Sequence, residues 1–140
     1  MQKINVGRVL LGGLAAGLVM NIGEFLLNGV IFAKSIEDAN RKLNLPPPSG
    51  EFIAKAVGMV FLMGIVAVLL YAAIRPRFGA GPKTAIIAGL IVWFLGFVYS
   101  GVLNSALGFF PFSLTIIGLV WALFEAPIAT LVGAWLYKEA

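Results

Sequence analysis

The chain has 140 residues, 61% of them hydrophobic and 11% charged, with a formal net charge of +4. A soluble domain carries about 25% charged residues and could not cover its surface with so few, which excludes an ordinary soluble globular protein and indicates an integral membrane one. The absence of Cys and His excludes disulfides, thiolate or imidazole metal sites, Ser–His or Cys nucleophiles and His-ligated haem.

Four hydrophobic runs, at 6–33, 52–74, 84–107 and 112–137, take up most of the chain. Each reaches the roughly 20 residues that cross about 30 Å of hydrocarbon. The expected fold is a single all-α domain over 1–140: a bundle of four transmembrane helices, with a short interfacial helix at about 35–45 after the first.

Lys3 and Arg8 lead into the first run as they would in a signal peptide. The run is too long for one, holds Glu24 and lacks a clear small-residue cleavage site, so a retained span is expected. Within it Asn21, Glu24 and Asn28 recur at i, i+3 and i+7, with Gly17 one turn below. At about 100° per residue they share one stripe, and a carboxylate stripe must face protein or water rather than lipid.

In the following KSIEDANRKLNLPPPSGE, Ser35 is expected to cap a helix with Asp38 at its third position. Ile36, Ala39 and Leu43 then share a side, and Pro46–Pro48 end the helix, which would lie on the interface. A solvated linker is the alternative. Ser49 caps the second span, which is expected to end at Arg75-Pro76-Arg77; FGAGPK forms a turn, with Pro82 suited to the first turn of the third helix.

The third span carries Trp93, Phe97, Ser100 and Asn104 along one stripe. Gly108-Phe109-Phe110-Pro111-Phe112 reads as a tight interfacial corner, with a re-entrant piece as the alternative. In the fourth span Glu125 falls near the midplane, one turn beyond Trp121, and Pro127 should kink the helix. Trp135 and Tyr137 close it at the depth where amphipathic rings settle, followed by Lys138.

Basic residues set the topology. Lys3, Arg8, Arg75, Arg77, Lys83 and Lys138 fall on one side; Lys34, Arg41, Lys42 and Lys55 fall on the other, offset by Glu37, Asp38 and Glu51. Both termini are expected in the cytoplasm. Because these residues sit at helix ends rather than in one patch, they point to the lipid bilayer and not to nucleic acid.

Asn21, Glu24, Asn28, Ser100, Asn104 and Glu125 thus form a candidate polar intramembrane cluster in the outer half of the bundle. A charge at the centre of a spanning helix costs about 2.5–3.5 kcal/mol on insertion scales, so two glutamates are an expensive feature. They serve either a proton- or cation-coupled site or a polar cavity; otherwise the cluster holds helices together by interhelical hydrogen bonds. Paired carboxylates also serve glycosidases, but no substrate-sized cleft is expected in so small a bundle, so no enzyme, cofactor or metal site is expected.

Small residues form a second theme. Gly13 with Gly17, and Ala126 with Thr130, Gly133 and Ala134, permit close helix approach, and Gly58, Gly64, Gly89, Gly96 and Gly101 extend this to the middle spans. They favour an accessory or structural component that packs against itself, as a homo-oligomer, or against a larger membrane complex. One alternative is a small oligomeric transporter or channel using Glu24 and Glu125. A second is a binder of a lipid-soluble ligand beside Met59, Phe61, Met63, Trp93, Phe94 and Phe97.

From Gly23 onward, through Phe32-Ala33-Lys34, Gly89-Leu-Ile-Val-Trp93-Phe-Leu-Gly96-Phe97 and Gly133-Ala134-Trp135, the chain resembles an uncharacterised bacterial family of small four-helix membrane proteins. Leu26-Leu27 stand where that family has a Trp-Tyr pair, and Ile36 where it has a Trp. The resemblance implies the four-helix fold and a bacterial inner membrane location, and brings no activity.

Overall fold

The computed structural model describes residues 3–139. Four helices are long and apolar enough to cross a membrane: α1 (Val6–Ile31), α3 (Gly50–Phe78), α4 (Pro82–Ala106) and α5 (Phe112–Leu136). A short helix, α2 (Ala33–Lys42), follows the first. The fold is an all-α bundle in which consecutive spans run in opposite directions, so the chain ends at the face where it begins.

The local signals act largely where the sequence places them. Asn5 caps α1, accepting from the Arg8 N–H at 3.1 Å, and Ser49 caps α3, accepting from the Phe52 N–H at 3.1 Å. Pro82 opens α4 after Gly79 and Gly81, whose φ angles of 87° and 129° need a residue without a Cβ. Gly108, with φ 81°, turns the corner before α5.

Two expectations are corrected. α3 runs past the expected end at Arg75-Pro76-Arg77 to Phe78; a proline in the last turn removes a single backbone bond, and Arg75 and Arg77 there suit the negative helix end. Ser35 is no cap: α2 begins at Ala33 and ends at Lys42, short of the expected 35–45. The two aromatic residues that close α5 differ in their surroundings, and Tyr137 is the one the bundle covers. Its ring is 5% exposed and packs edge-on against Tyr71, with centroids 6.0 Å apart. The Arg75 guanidinium lies 5.7 Å from the Tyr137 ring centroid and pairs with Glu139 at 3.2 Å. Trp135 does face outward, at 80% exposure.

Packing is uneven along the bundle axis. In α3, α4 and α5 the buried positions fall at 64–72, 84–92 and 122–133, all in the half that holds the termini. Here glycines bring backbones into contact. A Cβ on Gly64 would lie 2.7 Å from the Gly17 Cα, and one on Gly89 would lie 2.9 Å from the Pro127 nitrogen. Gly12 and Gly133 meet in the same way. The small-residue seams at Gly13, Gly17, Gly64, Gly89 and Gly133 therefore close within this one chain, whereas a Cβ on Gly58 would meet nothing within 4 Å. Buried hydroxyls are satisfied locally: Thr130 donates to the Ala126 carbonyl at 2.7 Å and Thr84 to the Gly79 carbonyl at 2.6 Å.

The other half is open. Residues 50–59 of α3 are all exposed, and α4 buries nothing beyond Val92. At the border between the halves two helices change pitch. Phe25–Ile31 in α1 and Trp93–Val98 in α4 are π-helical, a distortion common beside functional sites.

Candidate functional site

The open half contains a cavity of about 250 Å³ between α1, α4 and α5. Glu24, Asn28, Ser100 and Asn104 supply polar groups to its wall, together with Thr115; Leu27, Phe97, Leu114 and Leu119 supply most of the rest. Phe32 and Ile36 from the start of α2, and Phe110 from the corner before α5, line it towards the bundle end opposite the termini. This combination of an apolar wall with a few convergent polar groups is how small-molecule sites are built.

The π turns set the angular positions of these side chains. A π turn takes more residues per revolution than an α turn, so each residue after Glu24 rotates less than the α spacing implies. Asn28, four residues on, stays beside Glu24 as it would at either pitch, and its amide donates to Glu24 Oε2 at 2.6 Å. In α4 the Trp93 indole N–H donates to the Leu119 carbonyl at 2.9 Å, tying the start of that π turn to α5. Ser100, two residues beyond it, donates to the Gly96 carbonyl at 2.6 Å.

Glu125 stands behind the wall rather than in it. Its side chain is 7% exposed, and Oε2 accepts from the Trp121 indole at 2.8 Å. Oε1 is buried without a hydrogen-bond partner. The carboxyl rests on Gly23, where a Cβ would lie 2.7 Å from the Glu125 Cδ and overlap Oε2. Glu24 and Glu125 are thus neighbours, one on the cavity wall and one beneath it.

Of the six candidate residues, Glu24, Asn28, Ser100 and Asn104 meet at the cavity and Glu125 adjoins Glu24. Asn21 turns away. Its amide donates to the Gly17 carbonyl at 2.9 Å and to the Val57 carbonyl of α3 at 3.4 Å, so it joins helices rather than lining the site. Three contributors escaped the sequence reading: Thr115, Phe110 and Gly23. A glycine beside a carboxylate on the same helix was the available signal for Gly23, since a small residue marks where another helix comes close.

The aromatic and Met positions considered for a lipid-soluble ligand are dispersed: Phe97 lines this cavity and Phe94 a separate apolar groove with Ile87, Leu90, Ile91 and Leu95. Met59 and Phe94 are 63% and 56% exposed, whereas Phe61 packs on Gly17 and Met63 on Gly96. Among the described residues no three acidic side chains gather into a cluster. No protein-family model, curated protein or solved structure matches the chain.

Proposed function

We propose that this chain is a small membrane transport protein. Its cavity admits a solute from one side of the bilayer, and Glu24 with Glu125 handles the proton or cation that accompanies it. One observation carries the reading. A carboxyl lines the wall of a polar cavity in the open half of the bundle, and a second, partly unsatisfied carboxyl lies directly behind it. A buried carboxylate is a costly way to join helices when Asn21 does the same work without charge. Most of the small residues that favoured an accessory packing subunit are engaged within the chain, Gly58 being an open exception, which weakens the case for a partner.

The direction of access follows from the basic residues. Arg41 and Lys55, at the end where the cavity lies, are paired with Glu37 and Glu51, each at 2.6 Å. Lys3, Arg8, Arg77 and Lys83 crowd the other end without an acidic side chain close in sequence. Both termini are then cytoplasmic in a plasma membrane, and the cavity faces outward. The four-helix arrangement accords with the bacterial family that the sequence resembles.

Because the chain lacks native cysteine, single cysteines test the reading without background. Ser100→Cys and Asn104→Cys should react with a small membrane-impermeant thiosulfonate added from the side opposite the termini. Ile91→Cys on the lipid face should not. Reconstituted vesicles should show proton or cation flux under a potential, lost in Glu24→Gln. A dry, unreactive Ser100→Cys together with absent flux returns the chain to a packing role.

A further inference from the structure

We infer that the cavity is a site for a small organic ammonium ion. The inference rests on the solute-binding reading above and specifies the class of solute. It follows from where the hydrogens of the polar wall already point. The Asn28 amide gives one of its two hydrogens to Glu24 Oε2 at 2.6 Å, which leaves one N–H and the carbonyl oxygen open to a ligand. The Ser100 hydroxyl is committed to the Gly96 carbonyl at 2.6 Å and the Thr115 hydroxyl to the Pro111 carbonyl at 3.3 Å. Each hydroxyl has one hydrogen to give, so both present only lone pairs. The nearby indole of Trp93 is likewise spent on Leu119.

What remains is a wall of acceptors. Glu24, Asn28, Ser100, Thr115 and Asn104 offer oxygens, and the amide hydrogens still free belong to Asn104 and, singly, to Asn28. No Lys or Arg lines the cavity. An anion would meet a carboxylate and only two amide donors, one of them already bonded to that carboxylate. A neutral acceptor would fare little better. An ammonium group finds a carboxylate and several oxygens, with Phe97 and Phe110 supplying aromatic surface of the kind that attracts cations. About 250 Å³ equals the liquid volume of about eight waters at about 30 Å³ each, so the ion is of aryl-methyl or short alkyl size.

Three molecules of one skeleton and different charge test this: benzylammonium, benzyl alcohol and benzoate, titrated into the full chain in lipid nanodiscs, with empty nanodiscs as the partition control. Tryptophan fluorescence reports occupancy, since Trp93 is bonded to a cavity residue. Benzylammonium should bind saturably and benzoate should not. Glu24→Gln should weaken benzylammonium on the order of tenfold, the usual loss when one partner of a charged hydrogen bond is neutralised, and leave benzyl alcohol unchanged. Gly101→Leu, which projects into the cavity, should abolish both. Equal binding of all three, or a preference for benzoate, overturns the ammonium assignment while the cavity remains a solute site. If none binds yet Ser100→Cys is reactive, the assignment again falls alone; if none binds and Ser100→Cys is inert, the transport reading falls with it.

Discussion

The Glu125 carboxyl lies flat against Gly23, at the one place on α1 where a side chain of any size would occupy the same space. That contact puts a buried acid from α5 next to Glu24, the residue following Gly23, and so joins the packed half of the bundle to its cavity. Gly23→Ala should therefore force the carboxyl out of its seat, at a cost of about 1–3 kcal/mol, the usual range for overpacking. In the background of Glu125→Ala the same change should cost far less. A double-mutant cycle measured by unfolding in mixed micelles reads the coupling directly, and equal costs in the two backgrounds would show that the contact is not made.

Replacing Glu125 by Leu separates a functional acid from structural glue. Its Oε1 is buried without a partner, and an apolar group of similar size removes that unsatisfied atom. Stability should then be unchanged or raised when Glu125→Leu is combined with Trp121→Phe, which removes the indole N–H that Oε2 satisfies, while flux through reconstituted vesicles is lost. Trp121→Phe alone should do the opposite to the fold: it removes the bond to Oε2 and costs about 1–3 kcal/mol. A large stability loss in the double variant, relative to Trp121→Phe alone, would mark Glu125 as a structural tie.

The seam between α1 and α3 offers a third test. At Gly64 an added Cβ meets backbone atoms of Gly13 and Gly17, which cannot move aside as a side chain could, whereas at Gly58 it meets nothing within 4 Å. Gly64→Ala should lower the thermal unfolding temperature in detergent markedly. Gly58→Ala should leave it unchanged or raise it slightly, since alanine favours helix by about 1 kcal/mol over glycine. Similar shifts in both would mean the two helices do not touch at Gly64.

The two aromatic residues near the end of α5 should differ sharply. Tyr137 is 5% exposed, contacts Tyr71 and Arg75, and its hydroxyl accepts from the Asn5 N–H at 3.4 Å. Tyr137→Ala should cost about 3 kcal/mol or more, as buried aromatic truncations do. Trp135→Ala should cost under about 1 kcal/mol in micelles, in keeping with a side chain 80% exposed. Chemical unfolding of the two variants side by side decides it.

These contrasts show how far local pattern reaches in this chain. The four spans, the caps at Ser49 and Pro82 and the turn glycines were legible because hydropathy, cap chemistry and backbone freedom act within a few residues. Glu24, Asn28, Ser100 and Asn104 were also legible as one group, since an intramembrane polar side chain has few places to go. Helical spacing placed Asn28 beside Glu24 and misled at Asn21, whose amide reaches the Val57 carbonyl of α3, a neighbour that no spacing within α1 discloses.

By itself, then, the sequence determined a membrane bundle and the identity of its costly polar residues, because burying or exposing each residue type has a free energy that is nearly independent of its neighbours. Only the tertiary structure decided which of those residues face one another. Tyr137 and Trp135 are alike in the sequence and opposite in the fold, because Tyr71 and Arg75, more than sixty positions away, cover one and not the other. The site arises likewise: backbones pressed together by glycine at one end of the bundle leave α1, α4 and α5 apart at the other, and the gap is bounded by acceptor oxygens and a carboxylate.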